Sequence, residues 1–144
     1  MLQFSDGALA AMVAQAYGCY PEEACGLLGG DPLTGRVDRF YPCANAAHSA
    51  RVYTIEPRDH LRAERDAEAK RLEIIGVFHS HTHTEPYPSP TDVAQAPDPD
   101  WHYVIVSLKR EAPETRSYRI VAGEIAEEPV AVTAGASAGR ALPA

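Results

Sequence analysis

The chain is poor in the features that several protein classes require. It has three cysteines in 144 residues, Cys19, Cys25 and Cys43, an odd number with no C-x-x-C pair. Neither a disulfide framework nor a thiolate metal site is indicated, and a reducing compartment fits. No stretch approaches the roughly 18 apolar residues of a membrane span. The first residues lack the basic-then-apolar pattern of a signal peptide, so a cytoplasmic location is expected. Positive charge is scarce as well, with 13 Lys and Arg against 20 Asp and Glu and a formal net charge of -7. That balance argues against nucleic acid and anionic membrane as partners, because both call for a basic face. There is no H-E-x-x-H pair of the helical zinc peptidases, and no H-x-E with P-C-x-x-C as in the nucleobase deaminases. No internal repeat is visible.

What is present begins with an ordinary globular composition, 45% hydrophobic and 23% charged, over a length that suits one domain. Residues 1–132 carry helical and strand patterns; residues 133–144 are dominated by Ala and Gly, and this tail is expected to be disordered. Leu9, Met12, Val13, Ala16 and Tyr17 recur at helical spacing, which predicts a first helix capped near Ser5 and ended by Gly18. Strands are expected at Ala24 to Leu28, Arg36 to Tyr41, Val52 to Ile55, Trp101 to Leu108 and Thr115 to Val121. A last edge strand, Glu124 to Val132, is interrupted by Pro129. Glu56-Pro57 opens a charged helix running to about Leu72, with pairs such as Asp66 and Lys70 at i,i+4. Its charge run reads as a solvated helix face.

The most informative stretch runs from Ile74 to Asp92. Ile74-Ile75-Gly76-Val77-Phe78 reads as a buried strand that delivers His79 and His81 to its carboxyl end. Side chains two apart on a strand point to the same face, so one metal ion can take both. After seven residues of turn-rich loop comes Ser89-Pro90-Thr91-Asp92. Serine at the N-cap, proline at the first helical position and an acid at the third make a strong helix start, and capping alone would explain Asp92. The two readings are compatible, because a helix starting beside the histidines holds its first-turn acid near the same metal. Two imidazoles and a carboxylate suit zinc with its fourth position open.

These residues resemble a known family. His79-Ser80-His81, seven residues, Ser89, two residues and Asp92 are similar to the JAMM signature H-[ST]-H-x7-S-x2-D of the MPN-domain metalloproteases. The upstream E-x-C-G-x-L-x-G-like segment of that family is matched by Glu23-Ala24-Cys25-Gly26-Leu27-Leu28-Gly29. The resemblance spans roughly residues 5 to 125 and implies an α/β fold, a single MPN domain with a central mixed β-sheet flanked by helices. It also implies one Zn2+ held by His79, His81 and Asp92, with Glu23 as general base and Ser89 as hydroxyl donor to the oxyanion. Taken alone, an acid at a strand start is a solvated edge residue; the downstream motif is what turns Glu23 into a catalytic candidate. Cys25, which could be read as a thiol nucleophile, is structural on the same resemblance.

One departure is visible. Members often carry proline directly after the second histidine, whereas this chain has Thr82-His83-Thr84. Thr82 to Pro88 is expected to form an ordered, exposed flap, with His83 leaving the strand direction and His48, His60 and His102 away from the metal. Only about nine residues separate Asp92 from Trp101, which leaves no room for the insertions by which eukaryotic members grip ubiquitin. The compact prokaryotic type is implied, and with it a ubiquitin-like sulfur-carrier protein as partner, cleaved after its C-terminal Gly-Gly. A non-catalytic scaffold and a peptidase of ordinary small peptides are the alternatives. Oligomeric state is not legible.

Overall fold

A computed structural model describes residues 1–133 and shows an eight-stranded sheet in the order β7-β6-β5-β4-β2-β3-β1-β8. The strands are β1 (Leu2–Ser5), β2 (Cys25–Asp31), β3 (Arg36–Cys43), β4 (Glu73–His81), β5 (His102–Ser107), β6 (Glu114–Val121), β7 (Glu124–Glu128) and β8 (Val130–Thr133). Three helices, α1 (Asp6–Cys19), α2 (Pro57–Ala69) and α3 (Pro90–Ala94), complete it. The sheet is mixed. β4 is antiparallel to β2 on one side and parallel to β5 on the other, with α3 in the crossover between β4 and β5. The predicted α/β class with a central mixed sheet is the observed one.

β4 lies at the centre, and its apolar run follows from burial on both faces. Phe78 faces a cluster with Leu2, Phe4, Met12, Leu28 and Val104 under α1. Val77 faces the other, with Leu27, Tyr53, Ala63, Tyr103 and Ile105 under α2. Because the strand period is two, His79 and His81 share the Val77 face and Ser80 shares the Phe78 face. α2 reaches the sheet through alanines, Ala63 and Ala67, which lets its backbone come close while its charged side faces water. Two glycines are required by proximity. A Cβ on Gly26 would lie 2.6 Å from the Tyr41 carbonyl oxygen, and one on Gly76 would lie 2.4 Å from that of His102.

Several expectations are corrected. β1 was not foreseen, since four residues give too short a pattern, although Leu2 and Phe4 alternate as a strand should. α1 passes through Gly18 and stops at Cys19, and Ser5 is its N-cap as expected, accepting from the Ala8 N–H at 3.2 Å. α2 ends at Ala69, three residues short of Leu72. Val52 to Ile55 is not a strand; only an isolated bridge joins Asn45 to Ile55. The Asn45 side chain accounts for this, since it takes the Val52 carbonyl and the Thr54 N–H that a ladder would have used.

The largest difference concerns the last strand. Glu124 to Val132 is not one edge strand but two, β7 and β8, on opposite edges of the sheet with only Pro129 between them. Proline has no N–H to donate and ends the β6–β7 ladder, and the curl of the sheet brings the far edge within one residue's reach. The expected tail lies, from residue 134 onward, outside the described residues.

The two edges meet at Glu128. Its carboxylate accepts from His102 Nδ1 at 2.6 Å and from the Ser117 hydroxyl at 2.7 Å, and it lies 3.4 Å from the Met1 amino group. Burial pushes the Glu128 carboxyl up, but these donors outweigh it and hold the group at about 2, below its ordinary 4.5. A depressed folded value means stability that is present above pH 4.5 and lost as pH falls toward 2. Thermal melts should therefore show the wild type losing its advantage over Glu128→Gln across that window. The advantage expected near neutrality is about 1–3 kcal/mol.

Candidate metal centre and active-site cleft

The carboxyl end of β4 and the start of α3 bring three side chains together. His79 Nε2 lies 3.1 Å from His81 Nε2 and 3.1 Å from Asp92 Oδ2, and His81 Nε2 lies 3.0 Å from the same oxygen. All three residues are buried. Among the described residues this is the one group of His, Cys, Asp or Glu with metal-ligand convergence.

The donor set itself tests whether a cation fits. Zinc ligands at about 2.0–2.1 Å in a tetrahedral array lie ~3.3 Å from one another, close to the triangle seen here. Hydrogen bonding alone does not satisfy that triangle. His81 Nδ1 lies 2.8 Å from the Glu85 carbonyl oxygen, which can only accept, so Nδ1 carries a proton and Nε2 is the ring atom left to face a cation. Burial works against the charged form of His81, but its contacts with Asp92 and the Glu85 carbonyl outweigh it and raise its proton affinity, so a cation at this point takes the place of the Nε2 proton. Burial lowers the proton affinity of His79 and keeps its ring neutral. Burial works against ionised Asp92 too, yet contacts from His79, His81 and the Ser89 N–H hold its carboxyl far below the usual range. Two imidazole nitrogens and a carboxylate oxygen aimed at one point are what a divalent cation completes.

Local chemistry explains each placement. α3 starts with a full capping box, in which the Asp92 N–H donates to Ser89 Oγ at 3.1 Å and the Ser89 N–H donates to Asp92 Oδ2 at 2.9 Å. The capping and ligand readings of Asp92 are thus geometrically compatible, since one oxygen, Oδ2, both caps the helix and faces the histidines. Tyr53 stacks on His79 with ring centroids 4.4 Å apart. The Glu85 carbonyl that orients His81 is fixed because its own carboxylate bonds Lys109 Nζ at 2.7 Å and Arg110 Nη2 at 2.8 Å.

Glu23 enters from the neighbouring strand. Cys25 pairs with His79 across the β2–β4 ladder, which sets Glu23 two residues before that level, beside His81. Its backbone is held at several points: the N–H donates to Ser49 O at 2.8 Å, and the carbonyl accepts from Asn45 Nδ2 at 3.0 Å. The following residue is clamped to β4, with the Ala24 N–H donating to Ser80 Oγ at 2.7 Å and the Ser80 N–H donating back to Ala24 O at 3.0 Å. Glu23 is 4% exposed, and its Oε1 is a buried atom with no hydrogen-bond partner. Such an orphan is costly in a folded chain and marks a group held for use. Burial pushes its carboxyl up to about 8, against the pull of His81 and with the help of Asp92.

Glu23, His81 and Ser89 line one cleft of about 600 Å3, together with Ala50, Arg51, Thr82, His83 and Thr84. The sequence-derived set of five is thereby gathered in one place. His83 turns away as expected, with Nδ1 3.0 Å from the Thr82 hydroxyl and Nε2 3.2 Å from the Tyr20 hydroxyl. The Thr82 to Pro88 loop is less exposed than expected, because Thr82, Pro86 and Pro88 are buried. It is tied down by Ser107, which donates to Thr84 O at 2.6 Å, and by the Tyr118 hydroxyl, which donates to Pro86 O. His102 lies at the start of β5, at the strand end opposite the site, with Glu128. Sequence reasoning missed Ser80, Asn45 and Glu85 as positioning groups. Only Ser80 carried a signal, as the middle residue of the H-S-H motif.

Comparison with known proteins agrees with this geometry. A family model of prokaryotic homologs of the JAB domain matches residues 5–121. The CysO-cysteine peptidase of Mycobacterium tuberculosis (strain ATCC 25618 / H37Rv) is 45% identical over 123 residues, 85% of this chain and 84% of that one. A protein of Desulfitobacterium hafniense, solved in solution, has a TM-score of 0.86 and 33% identity, covering 93% of this chain and 94% of that one. A JAB1/MPN domain protein from Archaeoglobus fulgidus shares the fold, with a TM-score of 0.60 and 17% identity over 92% of this chain and 97% of that one. With its H-S-H and S-x-x-D pattern, the chain belongs to the JAMM family, in the group of prokaryotic JAB-domain proteins.

Proposed function

We propose that the chain is a zinc-dependent peptidase that hydrolyses the amide bond after the C-terminal Gly-Gly of a ubiquitin-like sulfur-carrier protein. The observation that carries this reading is that three ligand atoms converge behind a cleft lined by one of them, His81, and by Glu23 with its uncommitted Oε1. The 45% identity to a CysO-cysteine peptidase supports the choice of a carrier bearing cysteine.

His79, His81 and Asp92 would hold the ion, which when bound supplies Lewis acidity that lowers the pKa of a water to about 7 and polarises a carbonyl. Glu23 takes the proton of the attacking water at its free Oε1 and returns it to the leaving amine. A carboxyl pushed up to about 8 by burial is suited to both transfers. Water oxygen is added to the glycine carbonyl carbon, the C–N bond breaks, and the carrier leaves with a free Gly-Gly carboxylate. Ser89 Oγ accepts from the Asp92 N–H and keeps its own proton to donate to the developing oxyanion, worth ~3 kcal/mol. Asn45 and Ser80 contribute by fixing the backbone on either side of Glu23.

The test is cleavage by the zinc-loaded chain of a ubiquitin-like carrier extended past Gly-Gly by one cysteine, compared with short peptides ending in the same three residues. The expected products are free cysteine and a carrier ending at Gly-Gly, formed with kcat/KM at least about 100-fold above that of the peptides, because remote binding energy raises the rate. Equal rates on both would favour an ordinary small-peptide peptidase, and no cleavage of either would favour a scaffold.

A further inference from the structure

The cleft contains one Lys or Arg side chain among its lining residues, Arg51. It is exposed, and among the described residues its guanidinium makes no hydrogen bond or ion pair. The segment bearing it is nonetheless fixed. Ser49 O accepts from the Glu23 N–H at 2.8 Å, Ser49 Oγ accepts from the Arg51 N–H at 3.0 Å, and Ala50 O lies 3.5 Å from the Thr82 hydroxyl. Arg51 therefore stands one residue beyond a backbone clamped between Glu23 and the residue after His81. The two histidines of the cleft are already engaged, His81 with the Glu85 carbonyl and Asp92, and His83 with the Thr82 hydroxyl on one ring nitrogen and the Tyr20 hydroxyl on the other.

A free guanidinium in a cleft of a chain with net charge -7 calls for an anion. The reaction supplies one. When a single amino acid follows the scissile amide, its α-carboxylate is separated from the reacting nitrogen only by the α-carbon, so it must lie within the same cleft as Glu23. When the chain continues, that position holds a neutral amide.

We propose that Arg51 is the specificity residue that binds this α-carboxylate, so that the enzyme selects carriers ending one residue past the bond and rejects longer extensions. The inference rests on the peptidase reading and deepens it, since it names the leaving group as a free amino acid. A bidentate, charge-assisted pair is the interaction Arg provides and Lys reproduces only in part.

The experiment uses a ubiquitin-like carrier ending in Gly-Gly-Cys as the free acid, and the same carrier as the C-terminal amide. Wild type should cleave the acid about 10- to 100-fold faster in kcat/KM. Arg51→Ala should lower kcat/KM for the acid by that factor and leave the amide unchanged, so that the preference collapses to about one, and Arg51→Lys should fall between. Calorimetric binding to Glu23→Gln, which holds substrate without cleaving it, should show the same preference for acid over amide, lost in the Glu23→Gln, Arg51→Ala double variant. Equal cleavage of acid and amide by wild type, or a preference that survives Arg51→Ala, overturns the inference and leaves the peptidase standing. Failure to cleave either form overturns both.

Discussion

His81→Ala is expected to leave the purified chain with little or no bound metal and to reduce carrier cleavage by ~10³-fold or more. The magnitude follows from the several kcal/mol that Lewis acidity contributes at a carbonyl, with each 1.4 kcal/mol worth tenfold. His81 is the side chain to remove because it touches every part of the site. It lies 3.1 Å from His79, 3.0 Å from Asp92 and 2.8 Å from the Glu85 carbonyl, and it lines the cleft beside Glu23. The fold should survive, because the apolar contacts of β4 come from Ile75, Val77 and Phe78, and Asp92 keeps its contacts with His79 Nε2 and the Ser89 N–H. Elemental analysis paired with circular dichroism checks both halves. A folded His81→Ala chain that keeps one metal and full turnover would place the metal elsewhere.

Glu23→Gln separates binding of the ion from use of the water. The amide has the shape of the carboxyl, and Glu23 is not one of the three converging ligands, so metal content should be unchanged. Activity should fall by ~10²- to 10⁴-fold, the range for loss of a general base. The same substitution carries a stability signature in metal-free protein. The folded carboxyl is pushed up to about 8 from an ordinary 4.5, so its contribution is fully present below pH 4.5 and is lost as pH rises through 8. Metal-free Glu23→Gln should match wild type at pH 4.5 and exceed it by about 1–3 kcal/mol at pH 9, as chelator-treated melts would show. Equal stabilities at both pH values would mean that Glu23 is not held buried and unpartnered.

Much of the site could be read from sequence, for reasons of short range. The period of two puts His79 and His81 on one face wherever the strand lies, and the Ser89-Pro90 start fixes Asp92 in a first turn. Both arguments need only a few neighbouring residues. Glu23 is different, because its approach to His81 depends on the β2–β4 register, and composition around it says nothing of that pairing; only the family motif pointed to it. Asn45 carries no local signal of its role, because its bonds to Glu23, Ser49, Val52 and Thr54 depend on how its loop closes. The split of Glu124 to Val132 across Pro129 is the clearest limit. Each half has a strand's alternation, but their assignment to opposite edges follows from the curl of all eight strands.

The measurement that bears most directly on the account is a titration of zinc into chelator-treated chain, with cleavage of a carrier ending in Gly-Gly-Cys followed by mass spectrometry. The account predicts no cleavage without zinc, a linear rise with added metal, and a plateau at one zinc per chain with a product ending at Gly-Gly. Full cleavage in metal-free chain, or none at any zinc content, would contradict it.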